Sequence, residues 1–91
     1  MHIIFNAFSF LRDKLQTQGI KHIEAPMEIA DGTDVHTLIA SVGLQPEDVE
    51  AVFVNHTAVP KNTRLHEGDR VALLPPGTPG SYRLLSGLKE H

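Results

Sequence analysis

The residues whose type could support chemistry are first of all six histidines, His2, His22, His36, His56, His66 and His91, and no two of them fall at i,i+3 or i,i+4. Side chains at those spacings share one helix face and can close on a single ion, so without them, and without a thiol, the chain carries no metal-ligand pattern. The lack of Cys also removes thiolate nucleophiles, disulfides and iron–sulfur ligation. Ser9, Ser41, Ser81 and Ser86 are hydroxyl nucleophiles by type, but none sits in a Gly-x-Ser-x-Gly elbow that would hold its oxygen against a base. Catalysis by this chain is therefore not expected, nor is a metal or a cofactor. A binding or carrier role is favoured.

Ninety-one residues with 41% apolar and 21% charged side chains suit one small globular domain and leave no room for a second core. The net charge of −3, with one Tyr and no Trp, lacks the basic patches and stacking aromatics of nucleic-acid binders. No leader pattern and no window near the ~20 apolar residues of a membrane helix is present. A soluble protein with neither nucleic acid nor membrane as partner is expected, and the missing Cys suits the cytoplasm. Charge is uneven: Glu24, Glu28, Asp31, Asp34, Glu47, Asp48 and Glu50 are followed or separated by no Lys or Arg across residues 24–50. That stretch reads either as a solvated face or as a surface that steers the protein toward a basic partner.

Residues 2–8 alternate, with Ile3, Phe5 and Ala7 on one face and His2 and Asn6 on the other, which predicts a strand. Leu11 and Leu15 at i,i+4 suggest one or two helical turns before Gly19. Ile23, Ala25, Met27 and Ile29 alternate around Pro26, which predicts an edge strand whose pairing starts after that proline. Val35, Leu38, Ile39 and Val42 form the stripe of an amphipathic helix, capped by Asp34 and stopped by Gly43. Residues 45–48 read as a loop. Residues 51–54 and the reversal at Asn55-His56 predict a hairpin, and residues 70–74 a last strand that enters from the Glu67-Gly68-Asp69 turn and stops at Pro75-Pro76.

The succession of two strands, a helix, a strand, a short reversal and a final strand gives an α+β, β-grasp arrangement, a mixed sheet crossed by one main helix. Within it, Phe8-Ser9-Phe10-Leu11-Arg12 resembles the Phe-Ala-x-Leu-Arg that follows the first strand in the MoaD/ThiS family of ubiquitin-like sulfur carriers. Asp31-Gly32-Thr33-Asp34-Val35 with Leu38-Ile39 and Gly43-Leu44 is similar to the family's helix motif, and Val54-Asn55 to its Val-Asn-Gly hairpin. The most specific likeness is Leu65-x-Glu-Gly-Asp-Arg-Val-x-Leu-x-Pro-Pro, ending at Pro76. The resemblance covers residues 1–76, read as the β-grasp domain.

The resemblance implies a carrier in molybdopterin or thiamin biosynthesis. Its terminal glycine would be adenylated by an enzyme of the ubiquitin-activating type, converted to a thiocarboxylate and delivered to a sulfur-accepting synthase, while the head around Phe8, Val54, Leu73, Pro75 and Pro76 supports docking. A side-chain-free tail can thread a narrow catalytic channel. This sequence departs from the pattern there: the family's final two glycines fall on Pro79 and Gly80, and residues 81–91 follow. Gly80 becomes an acyl-bearing residue only if that extension is removed.

The extension, residues 77–91, is expected to be partly mobile. Tyr82, Leu84, Leu85 and Leu88 place apolar side chains at helical spacing, which reads as a short helix packing back on the domain or as a recognition segment for a partner or a second copy. The alternative function is accordingly a non-covalent ubiquitin-like module that binds through its sheet face or its leucine-containing tail.

Overall fold

A computed structural model describes residues 1–76. The elements are β1 (His2–Ala7), α1 (Leu11–Thr17), β2 (Ala25–Glu28), α2 (Val35–Ser41), a 3₁₀ turn (Pro46–Asp48), β3 (Ala51–Val54), β4 (Thr57–Val59) and β5 (Arg70–Leu74). The strands form one five-stranded sheet in the order β2-β1-β5-β3-β4, with β1 and β5 parallel and the other pairs antiparallel. This is the mixed β-grasp sheet that the order of elements predicts. Among the described residues no helix is long and apolar enough to cross a membrane.

One sheet face is built by alternation. Ile3, Phe5 and Ala7 of β1, Val71 and Leu73 of β5 and Val52 of β3 are all buried in the same cluster, against Leu11 and Leu15 of α1 and Val35, Leu38 and Ile39 of α2. The parallel register Phe5↔Val71 and Ala7↔Leu73 continues into Val52↔Leu73, so the inward rows of three strands meet under the helices. The main helix starts where Asp34 Oδ1 accepts the Thr37 N–H at 2.8 Å and ends before Gly43, whose φ of 82° suits a residue without Cβ.

Two expectations need correction. Pairing of β2 begins at Ala25 and includes Pro26, which faces Ile4. Met1 and Ile29 exchange hydrogen bonds in both directions at 2.7 and 2.8 Å. Since bonded and non-bonded pairs alternate, Pro26 falls on a non-bonded position, where its missing N–H would have pointed to solvent. The edge position of β2 is as expected, and it is what makes the proline harmless. Residues 45–48, read as a loop, contain the 3₁₀ turn, held by Gln45 N–H donating to Asp48 Oδ2 at 2.8 Å and Asp48 N–H to the Gln45 carbonyl at 2.9 Å.

Candidate functional site

The sheet face opposite the helices carries the even-numbered row of β1. Asn6, Ala72 and Phe53 are register partners across β1, β5 and β3. The small side chain of Ala72 at the middle of that row leaves a dip between larger neighbours. A groove of about 380 Å³ forms there, lined by Asn6, Phe8, Arg12, Ile23, Glu24, Phe53, His56, Arg70, Val71 and Ala72. Its floor is aromatic and apolar and its rim is charged.

Polar contacts set the rim. Asn6 Nδ2 donates to Glu24 Oε2 at 2.8 Å, and the Glu24 N–H donates back to Asn6 Oδ1 at 2.8 Å. This reciprocal pair holds Glu24 at a φ of 43°, outside the strand conformation, and leaves Ile23 63% exposed beside the groove. The Arg70 guanidinium also donates to Glu24 Oε1. The Asn6 hydrogen bond foremost, and then Arg70, hold the Glu24 carboxyl below the usual carboxylate range. Arg12 Nε donates to the Ala7 carbonyl at 3.0 Å, which places its guanidinium 5.7 Å from the centre of the Phe8 ring, within cation–π range. The groove thus presents two arginines and a histidine against one carboxylate.

The residues of the sequence signature are mostly scaffold. Asp69, 8% exposed, accepts Asn55 Nδ2 at 2.9 Å on Oδ1 and the His66 N–H at 2.8 Å on Oδ2. Asn55 Oδ1 in turn accepts the Arg70 N–H at 3.0 Å. Glu67 Oε1 accepts the His2 N–H at 2.8 Å, and Gly68, at φ 84°, donates its N–H to the His2 carbonyl at 2.8 Å. Together these bonds tie the β3–β4 hairpin and the β5 entry to the first strand. The hairpin is closed by Asn55 and His56 at φ 52° and 69°, the two consecutive left-handed residues of a type I′ turn.

The docking residues expected from sequence divide between the two faces. Phe8 lines the groove and Pro76 is exposed. Val54 packs on the core side, Leu73 is 0% exposed in the core, and Pro75 is buried. Strand alternation turns Leu73 and Val54 toward the helices and their neighbours Ala72 and Phe53 toward the opposite face of the sheet. Ile23, Glu24, His56 and Arg70 were not foreseen as site residues. The parity of Phe8, which follows β1 directly, signals which face matters, but only the parallel register of β1 with β5 places Arg70 and Ala72 on it. Gly80 and the tail residues Tyr82, Leu84, Leu85 and Leu88 lie outside the described residues, as does the expected mobility of 77–91. Among the described residues no group of three or more His, Asp or Glu is placed to hold a metal ion.

The family model whose description is ThiS family matches residues 12–80. The chain belongs to the ThiS family. Two solved structures share the fold of this ThiS-family chain. One, from Pyrococcus furiosus and named as molybdopterin converting factor, subunit 1, superposes with a TM-score of 0.60 at 20% identity, covering 84% of this chain and 98% of that one. The other, SAMP1 from Haloferax volcanii, gives 0.61 at 16% identity, covering 88% of this chain and 100% of that one. Both establish the ubiquitin-like fold. Among curated proteins no relative matches the sequence.

Proposed function

We propose that this protein is a sulfur carrier of molybdopterin or thiamin biosynthesis that acts through Gly80 once residues 81–91 have been removed. The observation that carries this reading is the extent of the family match, which runs through the Pro75-Pro76 exit of β5 and ends at residue 80. The fold supplies a rigid head, and the groove around Phe8, Phe53 and Arg70 is the docking face for an adenylating enzyme of the ubiquitin-activating type and for a sulfur-accepting synthase. Catalysis belongs to those partners, in the cytoplasm, and this chain contributes the carboxylate. Hydrolysis of the Gly80–Ser81 bond adds water across the peptide and leaves that carboxylate. Adenylation then makes it an acyl phosphate mixed anhydride that a sulfur donor can attack, with AMP as the leaving group.

Intact mass of the protein from its native cells tests the reading. The expected species ends at Gly80, with a fraction heavier by the exchange of one oxygen for sulfur. Incubation of the 1–80 form with ATP and the cognate adenylating enzyme should yield an adenylate that the full chain does not give. If neither form reacts, the carrier reading fails.

A second reading, a non-covalent interaction module, is favoured by Pro79 standing where the family has glycine, since its ring and missing N–H suit a narrow channel poorly. In that case Asp substitutions at Leu84 and Leu85 abolish partner binding or self-association while the fold survives. An unchanged pull-down and elution profile would count against the module.

A further inference from the structure

We propose that the open-face groove takes an acidic segment of a protein partner, and that Glu24 stands in for a partner carboxylate there and limits how tightly the segment binds. The inference rests on the docking face read above and adds the chemistry of what docks. Charge in the groove runs opposite to charge in the chain. The molecule carries 11 acids against 8 Lys and Arg, yet Arg12, Arg70 and His56 line the groove and Glu24 is the one acid among the described residues that do. Arg70 already has a carboxylate, since its guanidinium donates to Glu24 Oε1. Arg12 has none. Its Nε is used on the Ala7 carbonyl and its guanidinium lies over the Phe8 ring, while no acceptor among the described residues meets its two terminal amino groups. An arginine fixed in this way presents two parallel N–H donors at the spacing of a carboxylate's oxygens.

Backbone geometry singles out Glu24. At φ 43° it holds a conformation unfavourable for an L-residue, and the Asn6 side chain keeps it there through two hydrogen bonds of 2.8 Å. The contact this secures, between side chains 42% and 58% exposed, contributes little to stability. Its effect is to occupy one of the two arginines that an incoming acid meets. Beside the guanidiniums, Phe8, Ala72 and the exposed Ile23 offer apolar contact. The occupant is therefore a peptide segment that mixes acidic and apolar side chains. One acid seats on Arg12, and another displaces Glu24 from Arg70.

Titration of the isotope-labelled full chain with a capped Glu-Leu-Glu-Leu peptide tests this. The amide signals of Asn6, Arg12, Ile23 and Ala72 should shift, and those of Leu38 and Ile39 on the helix side should not. The Gln-Leu-Gln-Leu and Lys-Leu-Lys-Leu peptides and inorganic phosphate should bind several-fold more weakly. Arg12→Gln should weaken the acidic peptide several-fold. Glu24→Gln keeps the Asn6 bond through its oxygen but releases Arg70, and should tighten the peptide several-fold with the spectrum still folded. Glu28→Gln, which removes the same charge from an exposed position outside the groove, should change the affinity far less. An acidic peptide that shifts nothing, or one matched by the other peptides or by phosphate, would overturn the proposal. So would equal effects of the two Glu→Gln variants, or groove shifts that follow protein concentration alone, which would assign the groove to a second copy. No ATP, adenylating enzyme or processed tail enters the titration, so adenylation of the 1–80 form can succeed where this fails, and the reverse.

Discussion

Asp69 shows how a side chain within a family signature can matter for structure alone. Its two oxygens take hydrogen bonds from Asn55 and from the His66 backbone in a nearly buried position, so both donors lose their partner if the carboxylate goes. Asp69→Ala should lower unfolding stability by about 3 kcal/mol, since bonds to charged groups contribute roughly 1.5–3 kcal/mol each. Urea denaturation measures this; a loss below half that would show that water replaces the carboxylate. His56 is the opposite case, a side chain that the backbone would do better without. At φ 69° an L-residue is strained, and Gly is the residue that this second position of the turn favours. His56→Gly should stabilise the domain by about 1 kcal/mol and raise the midpoint of thermal unfolding by ~4–8 °C. The turn itself was legible at Asn55, whose side chain tolerates left-handed backbone, but its type was not, because His is an uncommon second residue.

At the scale of elements, the capped helix is the most legible feature of the chain, because its cap, stripe and stop are all local. Asp34 accepts the Thr37 N–H, and that bond holds its carboxyl below the usual carboxylate range. Asp48 is held low in the same way by the Gln45 N–H first and by Lys14 Nζ second. As pH falls, the unfolded chain protonates at these positions before the folded one does. Their contribution is therefore complete above the ordinary carboxylate range and is lost as pH drops through it toward the lowered folded values. Asp34→Ala should lower stability at neutral pH by removing the cap, while Asp34→Asn keeps a cap that cannot titrate and should flatten the acid limb of stability against pH. Denaturant titrations from neutral to acid pH measure both; an unchanged acid limb in Asp34→Asn would show that the cap does not discriminate between protonation states. The second strand was less legible. Its alternation is broken by Glu24, which the Asn6 side chain pulls out of the strand conformation, and a bond between residues 6 and 24 leaves no local trace.

For the whole molecule, the parallel pairing of the first and last strands makes the domain a single cooperative unit, with β5 at the centre between β1 and β3. Amides of β1 and β5 should exchange with solvent only on global unfolding, and their exchange free energies should equal the stability from denaturant. Those of β4, a three-residue edge strand, should exchange faster. If β5 exchanged as fast as β4, the β1–β5 pairing would not be the cooperative centre. The order of elements, the inward face of β1, the capped helix and the turn before β5 were determined by the sequence alone, because caps, periodicity and turn residues act over a few neighbours. Which outward residues form the groove was decided only by the tertiary structure. A one-residue change of parity carries a strand side chain to the other face, and that parity follows from register with strands distant in sequence. Val54 and Leu73 turned to the helix side of the sheet, and the buried Phe53 and Ala72 to the groove side, for this reason.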